Sequence, residues 1–399
     1  MRVVIAPDCF GGTLTAEQAA AAVRDGWLRA APQDELDLCP LADGGPGFIA
    51  CVRASLGGEL VAAAVRSPLR DVVPGAVLVV EGAGGSRTAY IESAQATGLA
   101  LVPPGRRDPT LASSYGVGEL LRVALGTGAR RVVIGLGGSA TNDAGAGMLA
   151  ALGVGAGVNA DPDGVLARGG GALADVTVAD LTGLVELRAS FAGIDLVVAT
   201  DVDVPLLGLH GASAGFAPQK GATPAQAQGL ERALGHFAHA AVAALGPAGR
   251  PDLLAAPRTL SPAARLTGLP GAGAAGGLGF GFALLGGRIV PGSGLVADAV
   301  GLAARIGVAD LVITGEGTLD WQSLHGKVVA AVAERALSTG VPTVVIAGQV
   351  QIGRREWGAA GIAGAYAVAS TPAQVMASLA DPARTLATRS EQVARTWSR

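Results

Sequence analysis

The chain has 399 residues, of which half are apolar and 15% are charged, and its formal net charge is −3. This charge gives no reason to expect nucleic acid or an anionic membrane surface as a partner. A chain of this length predicts two domains rather than one core. Its three cysteines, Cys9, Cys39 and Cys51, have no metal-ligand spacing, so we interpret them as free thiols in the cytoplasm.

The chain begins with a strand, a loop and a helix. Residues 3–6 predict a buried strand, and Thr15 with Gln18 forms a capping box that opens a helix to about residue 29. Asp8 lies between them, just past the carboxyl end of the strand, where open α/β sheets gather ligand-binding groups.

The same arrangement is repeated once before residue 50. Residues 36–39 predict a second short strand, and Asp43, Gly44 and Gly45 follow it. An acid in a turn is often only a helix cap, but two such turns favour a shared site.

A glycine turn lies near the middle of the chain. Residues 132–134 predict a buried strand, Gly137 and Gly138 follow it, and residues 144–152 predict a helix. Because free N–H groups and the helix dipole point at such a turn, Ser139 and Thr141 become candidates for phosphate binding. An ordinary turn with a good N-cap is the alternative.

Residues 194–200 predict another buried strand, and it ends in Asp201 and Asp203. Alternating acids at a strand end can point the same way, which suits Mg²⁺. A solvated strand end explains them equally well.

The strand–helix alternation is lost after residue 59 and returns after Arg288. Residues 310–314 predict a strand followed by Gly315, Glu316 and Asp320, and Lys327 opens a helix. We therefore predict one domain from residues 1–66 and 288–399, with residues 67–287 inserted as a second α/β domain.

Only two of the 29 basic side chains are lysines, namely Lys220 and Lys327. A compact ammonium fits a tight phosphate site that a planar guanidinium does not. We predict that Lys327 contacts a phosphate or an active-site carboxylate, and that Lys220 lies at the active site.

Six motifs occur in a fixed order over nearly the whole chain, and together they resemble the bacterial glycerate kinase family of the first type. They are IAPDCFGGTLTAEQ (5–18), LADGGPG (41–47), GLGGSATNDAGAGMLAALG (135–153), TDVDVPLLGLHGASAGFAPQKGA (200–222), PGAGAAGGLG (270–279) and ITGEGTLDWQSLHGK (313–327).

The resemblance implies two α/β domains, one of them discontinuous, flavodoxin-like and doubly wound, with the active site in the cleft between them. It also implies transfer of the γ-phosphoryl group of ATP to D-glycerate, generally giving 2-phosphoglycerate. The partners expected are these small molecules, with no nucleic acid and no membrane. The oligomeric state, homo-oligomer included, stays open.

Phosphoryl transfer needs a base, phosphate-binding groups and a metal ion. The catalytic candidates are Asp8, Asp43, Asp320 and Lys327, and the sequence does not rank the three acids as base or as hydroxyl ligands. The substrate- and phosphate-binding candidates are Gly44, Gly45, Gly137, Gly138, Ser139, Thr141, Lys220, Gly315 and Glu316. Asp201 and Asp203 are the candidates for Mg²⁺.

Two alternatives remain, a kinase of a related small hydroxy acid and a catalytically impaired relative that binds a nucleotide or metabolite. They follow from three departures, because the family usually carries lysine, glutamate and asparagine where this chain has Gly11, Pro46 and Val204.

Overall fold

The computed structural model describes residues 1–155, 162–246 and 261–398. The chain forms two compact units. The terminal unit consists of Met1–Gly57 and Pro291–Arg399, and the central unit consists of Gly58–Val290. Strands and helices occur in both, which confirms the predicted mixed α/β class. The described residues include no helix that is both long and apolar enough to cross a membrane.

The described residues contain thirteen strands and sixteen α-helices, each numbered along the chain. Strands β1 to β13 are Arg2–Ile5, Glu35–Leu38, Glu59–Arg66, Val72–Glu81, Arg87–Glu92, Arg131–Gly135, Asp195–Ala199, Arg288–Val290, Leu311–Thr314, Thr318–Leu319, Thr343–Ala347, Gln349–Val350 and Ile362–Ala367. Helices α1 to α16 are Ala16–Ala30, Phe48–Leu56, Ala94–Thr97, Tyr115–Gly126, Ala146–Ala151, Leu184–Ser190, Ala212–Phe216, Pro224–Leu245, Pro262–Thr267, Ala274–Leu284, Gly292–Ala299, Leu302–Ile306, Val328–Thr339, Arg354–Ala359, Pro372–Ala380 and Pro382–Trp397.

The terminal unit contains a five-stranded parallel sheet in the order β13-β11-β9-β1-β2. When only the strands of this sheet are numbered, the order is 2-1-3-4-5, a doubly wound order whose ligands bind where the strand order reverses. That reversal lies between β1 and β9. Both strands are short apolar runs, as expected for strands buried on two faces.

Helices cover both faces of this sheet. Helix α1 begins after the predicted capping box of Thr15 and Gln18, and it packs with α16 over one face. Gly26 permits this approach, because a Cβ there would lie 1.9 Å from the carbonyl oxygen of Ala387. Helix α13 places Val329 on the other face.

The central unit contains a six-stranded sheet in the order β3-β4-β5-β6-β7-β8. Strands β3 to β5 are antiparallel and β5 to β8 are parallel. The predicted loss of strand–helix alternation after residue 59 corresponds to β3 to β5.

Candidate active site

Two loops meet where the strand order of the terminal sheet reverses. Asp8 lies in the loop after β1, and Glu316 lies in the loop after β9. The backbone N–H of Asp8 donates to the carbonyl oxygen of Gly315 at 2.8 Å. Residue 315 must be glycine here, because a Cβ would lie 2.1 Å from the carbonyl oxygen of Ile346. The first and third strands of the unit therefore deliver an acid each to one edge.

The half-buried Asp8 has a strongly altered proton affinity. Its pKa is raised from 3.8 to about 7, first because burial disfavours the charged form and then because the carboxylate of Asp43 repels it. Glu316 adds a smaller repulsion. The N–H of Cys9 donates to Asp8 Oδ1 at 2.7 Å and opposes the shift. A carboxyl group with this pKa can exchange a proton at neutral pH.

Glu316 is only 9% exposed, and its Oε1 is buried without a hydrogen-bond partner among the described residues. Burial raises the pKa of this carboxyl group, whereas a hydrogen bond with Ser323 and the charge of Lys327 lower it. The carboxylates of Asp320 and Asp43 raise it again. The residues that interact in this way form what we call the acidic cluster: Asp8, Asp43, Glu316 and Asp320.

Tight turns hold the other two acids of the cluster. The N–H of Gly45 donates to Asp43 Oδ1 at 2.9 Å, and Gly44 between them has a φ of 97°, which favours glycine. The N–H groups of Gln322 and Ser323 donate to Asp320 Oδ1 at 2.8 and 3.1 Å. Aspartates commonly fix turns in this way. The turns thus orient both carboxylates.

Lys327 is the residue immediately before α13. Its Nζ lies 3.4 Å from Gln322 Oε1, and its charge lowers the pKa of Glu316. The structure therefore places the lysine at the start of a helix and beside the acidic cluster.

The central unit contains a second polar site around Lys220, whose side chain is buried at 3% exposure. Its Nζ donates to Ser139 Oγ at 2.9 Å and to the carbonyl oxygen of Thr141 at 2.6 Å. Burial lowers the pKa of Lys220 to about 7, and the buried carboxylate of Asp143 opposes this shift. Three predicted phosphate-binding residues therefore share this lysine site.

The helix predicted next to the lysine site starts later than expected. Helix α5 begins at Ala146, and its N-cap residue is Gly145. The N–H groups of Gly147 and Met148 in its first turn donate to Asp143 Oδ2 at 3.3 Å and to Ser114 Oγ at 3.0 Å. Ala144 and Gly145 have φ values of 52° and 77°, and the N–H of Ala144 donates to the carbonyl oxygen of Gly276. The helix predicted over residues 144–152 is therefore present as α5, but it begins two residues later than predicted. Of the glycines before it, Gly137 is partly exposed, and Gly138 is exposed with a φ of 60°.

The glycine-rich stretch 270–279 supports the lysine site from α10. Ala275, Gly276 and Gly277 all have left-handed φ values. A Cβ on Gly276 would lie 1.9 Å from the carbonyl oxygen of Thr141, the same atom that accepts from the lysine.

Asn142 is a polar residue of this region that was not among the predicted site residues. It is fully buried, and its Nδ2 donates to Ser213 Oγ at 3.0 Å. Its Oδ1 has no hydrogen-bond partner among the described residues. A buried polar atom in this state is uncommon, so the site has unused hydrogen-bonding capacity.

Comparison with known proteins identifies the family. The model of the glycerate kinase family matches residues 3–398. The chain belongs to the glycerate kinase family. A glycerate kinase of Bacillus subtilis (strain 168) is 40% identical over 352 residues, which cover 88% of this chain and 85% of the relative. The glycerate 2-kinase of Escherichia coli (strain K12) is 38% identical over 352 residues, which cover 88% of this chain and 86% of the relative.

A solved structure supports the same assignment. The crystal structure of a glycerate kinase 2 from Salmonella typhimurium LT2 matches with a TM-score of 0.75 and 35% identity. The match covers 99% of this chain and 98% of that chain. The chain is therefore an enzyme of the glycerate kinase family.

The predicted metal ligands of this glycerate kinase lie in the central unit. Strand β7 ends at Ala199, so Asp201 and Asp203 lie beyond it, and the expectation that strand alternation aligns them was wrong. Asp201 is half-buried and Asp203 is exposed. No three His, Cys, Asp or Glu residues in the described ranges form a group that could hold a metal ion. Two carboxylates still fit Mg²⁺, which usually keeps several waters and uses substrate phosphates as ligands.

Proposed function

We propose that this enzyme transfers the γ-phosphoryl group of ATP to D-glycerate in the cytoplasm and forms 2-phosphoglycerate. The family and the names of its relatives support the reaction class. The observation that carries the proposal is Asp8, a carboxyl group with a pKa of about 7 at the reversal point of a doubly wound sheet. Its position suits a ligand-binding group, and its pKa suits a general base.

Asp8 acts on the 2-hydroxyl group of glycerate. Its carboxylate accepts the hydroxyl proton while the hydroxyl oxygen bonds to the γ-phosphorus of ATP. The bond from that phosphorus to the bridging oxygen breaks, and ADP leaves with the electron pair. Asp8 then releases the proton to water. The burial and the repulsion by Asp43 that raise the pKa make Asp8 a stronger base than a solvated aspartate.

A cavity of about 360 Å³ beside Asp8 is the proposed glycerate site. Thr15 and Ala16 at the start of α1 line it, as do Leu41 and Gly47. The positive end of the α1 dipole favours a carboxylate in this cavity. We assign the hydroxyl groups of glycerate to the turn-held carboxylates of the acidic cluster.

The lysines and the glycine turns supply positive charge and N–H donors for the phosphates. Lys327 offsets the negative charge of the acidic cluster, as its effect on the pKa of Glu316 indicates. We propose that the lysine site of the central unit serves the same reaction. The groups proposed for phosphate or substrate are Gly44, Gly45, Gly137, Gly138, Ser139, Thr141, Lys220, Gly315 and Glu316.

Asp201 and Asp203 are the residues that would hold Mg²⁺. When bound, Mg²⁺ neutralises charge on the transferring phosphoryl group. Neither aspartate needs to act as a base in this assignment, since Asp8 has that role.

A coupled assay of ADP release, with product analysis by ³¹P NMR, tests the proposal. With MgATP we expect ADP release that depends on D-glycerate, a 2-phosphoglycerate product, and much less release with L-lactate or glycerol. The glycerate carboxylate gives the site a charge that glycerol lacks. A folded protein that releases no ADP with D-glycerate would refute the proposal. Activity with another hydroxy acid instead would favour the alternative suggested by Gly11, Pro46 and Val204.

A further inference from the structure

A second cavity opens at the carboxyl edge of the terminal sheet, on the β11 side of the reversal point. Its volume is about 180 Å³, and it is lined by Phe10, Gly11, Gly317, Gly348 and Val368. These residues follow β1, β9, β11 and β13. Pockets that bury a whole drug-sized ligand measure roughly 300–1,000 Å³. This cavity therefore suits one ring system rather than a complete cofactor.

Glycines keep the cavity open at the sheet edge. A Cβ on Gly348 would lie 2.4 Å from the carbonyl oxygen of Gly317, so the two loops approach without side chains between them. Val375 and Leu379 of α15 and Leu386 of α16 supply apolar walls. A small, mostly apolar cavity of this kind suits an aromatic ring.

Two polar side chains at the cavity are available to a ligand. Thr318 and Gln349 both line it, and neither side chain forms a hydrogen bond with another described residue. A glutamine amide offers both a donor and an acceptor, and a threonine hydroxyl can serve as either. An aromatic heterocycle that carries ring nitrogens and an amino group would match them.

Several residues that line the cavity are neighbours in sequence of residues in the acidic cluster. Gly317 and Thr318 directly follow Glu316, and Phe10 lies two residues after Asp8. The loops that line the cavity are therefore the same loops that carry Asp8 and Glu316 of the acidic cluster. Of the two substrates in the proposed function, only the phosphoryl donor contains an aromatic heterocycle.

We propose that this cavity binds the purine base of the nucleotide that donates the phosphoryl group. The inference rests on the proposed function for the identity of the donor. It assigns the base to the terminal unit, between the ends of β9, β11 and β13 and the helices α15 and α16.

Filling the cavity provides the first test. Ser378 lines the cavity from α15, and Ser378→Trp would occupy it. Ala377→Trp is the matched control, because Ala377 is the exposed neighbour on the same helix and does not line the cavity. Calorimetry on the full chain should show ADP binding at least tenfold weaker in Ser378→Trp and unchanged in the control. Binding of tripolyphosphate, which lacks a base, should be unchanged in both. Unchanged ADP affinity in Ser378→Trp, or equal losses for ADP and tripolyphosphate, would overturn the inference.

Photolabelling of the unaltered protein provides the second test, and it does not depend on how a variant folds. 8-Azido-ADP should label the segments 317–318, 348–349 or 368–386, and excess ADP should suppress the label. Labelling confined to residues 58–290 would overturn the inference. Because neither binding test involves glycerate, they also separate the two proposals. If the enzyme releases ADP with D-glycerate but the cavity is not labelled, only the proposed base site is refuted. If the cavity is labelled but D-glycerate causes no ADP release, only the proposed glycerate reaction is refuted.

Discussion

Replacing Asp8 by asparagine should inactivate the enzyme and stabilise its fold. Asparagine keeps an oxygen that can accept the hydrogen bond from the N–H of Cys9, but it cannot become charged. The wild-type carboxylate is costly in the folded state because burial and the acids around it disfavour its charge. The same residue therefore provides a base for catalysis and reduces the stability of the free enzyme.

The size and sign of this effect follow from the pKa. A rise from 3.8 to about 7 is roughly three units, or about 4 kcal/mol at 1.36 kcal/mol per unit. Between pH 3.8 and 7 the folded protein retains a proton that the unfolded chain has lost, so the unfolding free energy falls as the pH rises. Well above pH 7 the charged Asp8 lowers the unfolding free energy by this full amount. At pH 5.5 the loss of unfolding free energy is roughly 2 kcal/mol smaller than at pH 8.5.

Urea unfolding of the ligand-free protein at pH 5.5 and 8.5 measures this difference. Asp8→Asn should exceed wild type in unfolding free energy at pH 8.5, and its advantage should shrink by about 2 kcal/mol at pH 5.5. Asp25→Asn is the control, since Asp25 is an exposed acid of the same unit in a surface ion pair with Arg24. An advantage of Asp8→Asn that is equal at both pH values would refute the reasoning.

Three further predictions concern the charge of Lys327, the proposed Mg²⁺ ligands and the backbone at Gly276. Lys327→Arg retains the charge but replaces a compact ammonium with a planar guanidinium, so kcat should fall about tenfold, which corresponds to ~1.4 kcal/mol. Unchanged turnover and unchanged ATP dependence would show that the lysine is incidental. Asp201→Asn and Asp203→Asn should each raise the Mg²⁺ concentration needed for half-maximal rate, and unchanged Mg²⁺ dependence in both would remove them from the metal site. Gly276→Ala should strongly lower the Tm, because its φ is 72° and the new Cβ would lie 1.9 Å from a carbonyl oxygen. Gly229→Ala, in α8 with open space around the new Cβ, is the control, and equal Tm values for the two variants would contradict this prediction.

Most elements of the sheets could be predicted because their signals are local. The apolar runs at β1 and β6 and the capping box of α1 each lie within a few residues. The start of α5 could not be predicted, because the contact of Ala144 with Gly276 sets the backbone there. Such a contact joins segments that are distant in sequence, and no local pattern encodes it.

The acids of the terminal unit could be predicted as a group but not ranked. Parallel strands deliver their following loops to one edge of the sheet, so Asp8 and Asp43 were expected to share a site. The pKa of Asp8 depends on how deeply it is buried and on charges from distant parts of the chain. The burial of Lys220 was equally hidden, since its partners lie 81 and 79 residues away.

The pH dependence of glycerate-driven ADP release, measured for wild type and Asp8→Asn at saturating MgATP, tests the assignment of Asp8 most directly. We predict that the wild-type kcat/KM for D-glycerate rises with pH as the carboxyl group loses its proton near pH 7, then levels off, and that Asp8→Asn loses at least a hundredfold in kcat/KM at every pH. An Asp8→Asn enzyme with near-wild-type turnover, or a wild-type profile that is flat from pH 5.5 to 8.5, would contradict this account.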